Sequence, residues 1–166
     1  MRREYRFVPV TREDFPMLRS WLAEPHIGGW WGDPDVEIAL IDEDLGTGPT
    51  DMRIVWFADR PFAYIQDYPA HHWEMPQYAG LPSGSRAVDT FLGAPDFLGQ
   101  GHASGYIRQR AEELVEAGYP AIAVDPDPEN VRAVRAYRKA GFEGDDLRPC
   151  EDGDRVLVLL FRDTRR

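Results

Sequence analysis

The 166-residue sequence predicts an α/β chain organised as a single domain, residues 1–166. Three observations predict it. The hydropathy period switches repeatedly between two and about 3.6, in the order strand, helix, helix, three strands, helix, strand, helix, two strands. A stretch of small residues, Phe97 to Gly105, stands directly before the amphipathic run Tyr106 to Leu114, the pattern of a loop turning into a helix. The length suffices to bury about two-thirds of the surface the unfolded chain would expose, and no internal repeat or low-complexity segment divides it.

Each element has its own signal. Tyr5 to Val10 alternates apolar and polar residues, as a strand does. Thr11 with Asp14 makes an approximate capping box for a helix reaching about Ala23, in which Phe15, Leu18 and Leu22 recur at helical spacing. Pro16 fits there because the first turn needs no intrahelical N–H donor. Trp30 and Trp31 are adjacent and cannot both face one core, so at least one lines a cleft or contacts a ligand. Asp33 before Pro34 starts a second helix that Gly46 ends. Met52 to Ala58 and Phe62 to Tyr68 read as strands joined by a hairpin at Asp59-Arg60-Pro61. In the second of them Tyr64, Gln66 and Tyr68 share a face, which reads as a pocket wall.

Pro69 to Gly84, with three prolines and no periodicity, reads as a long surface loop of the kind that forms lids. Arg86 to Leu92 is a strand with Ala87, Asp89 and Phe91 on one face, and a carboxylate in that setting must be paired or used. After the small-residue stretch a helix runs to about Ala117 and ends at Gly118, Ala121 to Val124 is a short buried strand, and Asn130 to Lys139 is a helix. Phe142 to Arg148 and Arg155 to Arg162 close the sheet as a hairpin.

Composition narrows the function. A net charge of −10 argues against nucleic acid as a partner, because phosphate contacts need basic patches. Eleven acids and two arginines lie between Ser20 and Ser85, read either as a solvated acidic face or as a funnel for a polycationic substrate. The longest apolar run, Val156 to Phe161, is too short to cross a bilayer, and the start has charge without an apolar core; no membrane partner and a cytoplasmic location are expected. Cys150 is the single cysteine, and His71 and His72 lack convincing partner ligands, so no metal is expected.

The small-residue stretch suits an anion, because a helix start offers backbone N–H groups and a partial positive charge. A nucleotide P-loop is excluded: it needs a closing lysine, and Lys139 is the only lysine in the chain. A dinucleotide fingerprint meets Ser104 where its third glycine belongs.

Leu98-Gly99-Gln100-Gly101-His102-Ala103 resembles the pyrophosphate loop of the GCN5-related N-acetyltransferases (GNAT), Q/R-x-x-G-x-G/A, with Gly101 and Ala103 at the small positions and Leu98 where Gln or Arg is usual. The second signature of that family, an Asn, a helix carrying a Tyr and a closing Gly-Phe, is matched by Asn130, Tyr137 and Gly141-Phe142. The resemblance implies the GNAT acyl-CoA N-acyltransferase fold, a mixed sheet whose fourth and fifth strands splay to admit the cofactor. It implies acetyl-CoA as co-substrate, held by Phe91, Leu92, Leu98, Gly99, Gln100, Gly101, His102, Ala103 and Ser104 on one side and by Asn130 and Ala133 on the other.

Within the superfamily the chain is most similar to aminoglycoside 6′-N-acetyltransferases, through His26-Ile27, Trp30-Trp31-Gly32, Ala63 to Tyr68 and Val88-Asp89. That likeness implies Asp89 as a catalytic or amine-binding acid, Tyr137 near the thioester sulfur, and Trp30, Trp31, Gln66, Tyr68 and Asp125 around a small cationic amine. The chain departs from it at Trp73-Glu74-Met75-Pro76-Gln77, where the relatives carry a more acidic loop. Two alternatives stand beside this reading: a siderophore-type hydroxylamine acetyltransferase, and a non-catalytic acyl-CoA-binding module.

Overall fold

The computed structural model describes residues 4–165. Strand β1 (Arg6–Pro9) is followed by α1 (Phe15–Leu22), α2 (Pro34–Asp44), β2 (Asp51–Phe57), β3 (Arg60–Pro69), β4 (Arg86–Leu92), α3 (His102–Glu116), β5 (Ile122–Val124), α4 (Val131–Ala140), β6 (Phe142–Pro149) and β7 (Arg155–Phe161). This is the expected order of elements, with short 3-10 turns added at Arg12–Asp14, Pro76–Tyr78 and Pro95–Phe97. The seven strands lie in the order β1-β2-β3-β4-β5-β7-β6. β4 and β5 are parallel, whereas β1 with β2, β2 with β3, β5 with β7 and β6 with β7 are antiparallel, so the sheet is mixed. The β4–β5 ladder holds only two positions, Arg86 with Ile122 and Ala87 with Ala123.

By its internal packing the chain divides into two units. One comprises the residues up to Asp67 together with Asp89–His102, and the other Tyr68–Val88 with the chain from Ala103 onward. The core of the first gathers Leu18, Trp21 and Leu22 of α1, Ile41 of α2, Met52 and Ile54 of β2, Tyr64 of β3 and Phe91 of β4. Each fully buried aliphatic side chain contributes roughly 1.5–3 kcal/mol relative to exposure. The second unit packs Tyr68, Ala70, Tyr78, Ala87, Ala123 and Val158 together. Among the described residues no helix is long and apolar enough to cross a membrane.

Several local expectations change. The turn between β2 and β3 falls at Ala58-Asp59 rather than Asp59-Arg60-Pro61, with Ala58 in the left-handed region at φ 54° and β3 already begun at Arg60. Asp14 accepts from the Thr11 N–H at 2.9 Å, but the residues between them form a 3-10 turn and α1 starts at Phe15. Helix α3 begins at His102, ahead of Tyr106, because Gly101 is the last residue there with positive φ. The segment after β3 is no free lid: its 3-10 turn buries Gln77 and Tyr78 completely. Nor are Tyr64 and Tyr68 a pocket wall, since both rings are buried in the two cores and only Gln66 between them stays half-buried.

Gly93, just past β4, has no room for a side chain. Its N–H donates to the Phe62 carbonyl at 2.8 Å, and an added Cβ would stand 2.2 Å from the Trp21 ring and 2.6 Å from its Cβ. Trp21 cannot yield at its own root, so Gly93→Ala is expected to cost about 1–3 kcal/mol, as overpacking does. Urea denaturation read by tryptophan fluorescence checks this; an unchanged midpoint would show that Trp21 is not held there.

Candidate active site

The approach to α3 is a rigid turn. Phe97 stacks on Phe62, centroids 4.5 Å apart and planes 10° apart. Arg60 lies over the same Phe97 ring and grips both oxygens of Asp96. That guanidinium holds the exposed Asp96 carboxyl below the usual carboxylate range. Gln100 donates from its side-chain amide to the Asp96 carbonyl at 2.6 Å. Gly99 and Gly101 then take φ of 72° and 82°, which L side chains resist.

The side chain of His102 turns inward, not toward a ligand. It is buried, meets the Tyr5 hydroxyl at 3.1 Å, and is ringed by Phe57, Phe62 and Phe97 at centroid distances of 5.0, 5.4 and 4.9 Å. The Gln100 and His102 side chains therefore brace the turn. What Gly99 and Gly101 leave exposed is backbone, at the start of a 15-residue helix whose dipole favours negative charge.

On β3 and β4 of the first unit a second cluster forms. Asp89 is half-buried and accepts from the Gln66 amide nitrogen at 3.0 Å, while the Gln66 carbonyl accepts from the Tyr64 hydroxyl at 2.6 Å. Tyr64 stacks on Phe91 at 5.3 Å, and Trp31 stands edge-on to both, at 4.9 Å from Phe91 and 6.2 Å from Tyr64. Burial, with the field of Asp89 second, pushes the Tyr64 phenol well above its ordinary value. The adjacent Trp30 is 47% exposed, so the two tryptophans divide between surface and cluster as their adjacency requires. His26 donates from Nε2 to the Leu92 carbonyl at 2.8 Å and ties the tryptophan segment to the end of β4. Phe91 is core, and Leu92 is half-buried.

In the second unit Asp125 follows β5, and the fully buried Gln77 amide nitrogen donates to it at 3.0 Å. The same nitrogen donates at 3.0 Å to Glu151, in the turn between β6 and β7. Tyr68 is buried against Trp73, whose ring also meets His72. Asn130 caps α4: its side-chain oxygen accepts from the Ala133 N–H at 3.2 Å, so both residues are engaged with one another. Tyr137 is buried one turn before the helix ends, edge-on to Phe142 at 5.9 Å, and Gly141 at φ 110° closes the helix. Sequence reasoning missed Tyr64, Gln77 and Glu151 as partners of the predicted acids. A hydrogen bond between side chains leaves no periodic signal.

No group of three or more His, Cys, Asp or Glu among the described residues could hold a metal ion. His71 is bonded to the Leu81 carbonyl at 2.9 Å. The Cys150 thiol donates to Asp152, and burial pushes it above its ordinary value, away from nucleophilic use.

Residues 10–147 match the family described as Acetyltransferase (GNAT) domain. The chain belongs to the GNAT acetyltransferase family. Two relatives are named aminoglycoside N(6')-acetyltransferase type 1. The one from Serratia marcescens is 30% identical over 95% of this chain and 85% of its own length, and the one from Klebsiella pneumoniae is 30% identical over 92% and 81%. A solved structure of AAC(6')-Ib in complex with ribostamycin and coenzyme A superposes with a TM-score of 0.84, at 28% identity over 98% of both chains. The mixed seven-stranded sheet is thus the GNAT fold, and the chain is an acetyltransferase.

In this GNAT chain the Asn130 side chain has a structural duty that can be measured alone. Asn130→Ala is expected to lose about 1 kcal/mol, the usual value of a helix cap, and Asn130→Asp to keep it. Thermal denaturation of the pair checks this; equal melting of all three proteins would remove the cap.

Proposed function

We propose that this enzyme transfers an acetyl group from acetyl-CoA to a primary amine of a polycationic small molecule, the 6′-amine of an aminoglycoside, with residues 1–166 acting as one catalytic domain. The observation that carries the reading is Asp89: a half-buried carboxylate in a largely buried strand, held by Gln66, in a chain 30% identical to aminoglycoside N(6')-acetyltransferases over most of its length. A cytoplasmic site of action belongs to the same reading.

The residues fit the co-substrate. Gly99 and Gly101 give a turn without side chains on its concave surface, and the backbone of Gly99 to Ser104 at the helix start suits a pyrophosphate. Leu98, Phe91 and Leu92, with Asn130 and Ala133, are proposed to hold the rest of acetyl-CoA. On binding, it supplies the thioester acyl group.

An alkylammonium with a pKa near ~10 must lose a proton before it can attack. Asp89 is proposed to orient the ammonium and to take that proton, directly or through water. The amine nitrogen bonds to the acetyl carbon and the carbon–sulfur bond breaks; the departing thiolate receives its proton from Tyr137, and the proton shed by the acylated nitrogen returns through water to the phenolate. No covalent enzyme intermediate is needed. Asp125 is proposed to hold a further ammonium of the substrate, and Trp30, Trp31 and Gln66 to flank the amine, while Tyr68, expected beside them, is buried in the second core. The eleven acids between Ser20 and Ser85 would draw such a ligand in.

Thiol release from acetyl-CoA, followed across aminoglycosides, hydroxylamines, polyamines and peptides, tests the substrate class. Aminoglycosides should turn over fastest, with a KM that rises as salt shortens the Debye length toward ~3 Å near 1 M. Asp89→Asn should lose more than the ~0.5–1 kcal/mol of an exposed ion pair. Preference for hydroxylamines, or no turnover with bound coenzyme A, would replace the reading.

Tyr137→Phe keeps the ring against Phe142 and removes only the hydroxyl. Turnover should fall on the order of 100-fold, the low end of general-acid effects, while coenzyme A affinity by calorimetry stays put. Unchanged single-turnover rates would leave Tyr137 a packing residue alone.

A further inference from the structure

We infer that Tyr64 and Gln66 are positioning residues that form a one-way hydrogen-bond relay onto Asp89, holding its carboxylate aimed and ionised before the amine arrives. The inference rests on the role proposed above for Asp89. Gln66 is proposed above to flank the amine, and its amide has a further task.

Tyr64 and Gln66 stand two residues apart on β3 and so share a face. The Tyr64 hydroxyl lies 2.6 Å from the Gln66 carbonyl oxygen, and the Gln66 amide nitrogen 3.0 Å from Asp89 Oδ2. A glutamine amide turned end for end has nearly the same shape, so chemistry must choose its sense. An ionised carboxylate only accepts, and this forces the amide nitrogen toward Asp89 and the amide carbonyl toward Tyr64. The phenol must then donate. In the opposite sense the amide carbonyl would face Asp89, which would have to be protonated to donate to it. The direction of the relay and the charge on Asp89 are therefore one choice.

Three features fix that choice. The Tyr64 ring is fully buried, stacked on Phe91 and met edge-on by Trp31, so the phenol cannot swing away. The Thr90 hydroxyl donates to the Tyr64 carbonyl at 2.7 Å and locks the β3 backbone beside β4. The charged groups acting on the phenol are all acids: Asp89 itself, Asp44 and Glu37 of α2, and Asp51 of β2. Together with burial they keep the hydroxyl protonated and hence able to donate. The amide N–H aimed at Asp89 Oδ2 favours the charged carboxylate.

The test is the pH profile of kcat/KM for the amine in Gln66→Met and Tyr64→Phe. Each substitution keeps the volume and removes one link. Losing the amide donor disfavours the Asp89 carboxylate, so the acidic limb should move up by about one pH unit in Gln66→Met, with a smaller shift the same way in Tyr64→Phe. The KM for acetyl-CoA should not change in either. If Gln66 contacts substrate only, the amine KM rises and the limb stays in place, which overturns the relay. Should Gln66→Met melt early, Tyr64→Phe alone decides, because the phenyl ring retains the stack on Phe91. Asp89→Asn separates the two readings. Full activity in that variant removes the role of Asp89 and the relay with it, whereas lost activity with unmoved limbs in the other two removes the relay alone.

Discussion

The desolvation of one carboxylate governs the first unit. Asp89 sits in β4 between the buried Val88 and the core residue Phe91, and an ionised group partly withdrawn from water costs several kcal/mol unless donors meet it. Gln66 supplies such a donor from β3, and Gln66 can do so only because its carbonyl is satisfied by Tyr64. Tyr64 in turn is held by the aromatic stack with Phe91 and Trp31. The tryptophan segment, the tie from His26 to Leu92 and the core beneath α1 thus all bear on where one carboxylate oxygen lies.

The turn before α3 solves the reverse problem. Backbone without side chains can meet a partner at close range, yet a chain of small residues is flexible and loses much entropy on ordering. Here the ordering comes from the neighbours of the glycines. Phe97 stacked on Phe62, Arg60 on Asp96, Gln100 on the Asp96 carbonyl and His102 buried against Tyr5 all fix the flanks of Gly99 and Gly101. The polar side chains of the motif that look available for a ligand in the sequence are directed inward or along the chain, and the glycine backbone is left exposed.

The order of elements was legible because periodicity reports which face of each segment is apolar, and that is enough to distinguish strand from helix. The bounds of β4 followed from local chemistry, and the closing Gly141 from the family resemblance, whereas Asn130, read as the first helical residue, proves to be the cap before it. What covers a face was not legible. Tyr64, Gln66 and Tyr68 do share one face of β3, but a period of two cannot say that both tyrosines are buried in cores and only the glutamine is half open. The segment after β3 looked like a free loop because prolines break periodicity, yet prolines also build the 3-10 turn that buries Tyr78. The family resemblance implied the fold, but it marked Gln77 only as a departure from an acidic loop and said nothing of Glu151.

Gln77 shows why the second unit cannot be read as a scaffold alone. Its amide nitrogen serves two carboxylates, Asp125 and Glu151, while its own buried carbonyl oxygen has no hydrogen-bond partner among the described residues. An unsatisfied buried carbonyl costs roughly 1–3 kcal/mol, and two carboxylates meeting at one neutral donor repel each other as well. A chain selected for stability alone would place an aliphatic residue at position 77 and let both acids turn to solvent. Keeping the amide instead ties Asp125 at the end of β5 to Glu151 of the β6–β7 turn through one nitrogen. In each unit an acid expected from the sequence is met by a glutamine amide, Asp89 by Gln66 and Asp125 by Gln77, and a neutral amide restrains a carboxylate without cancelling its charge.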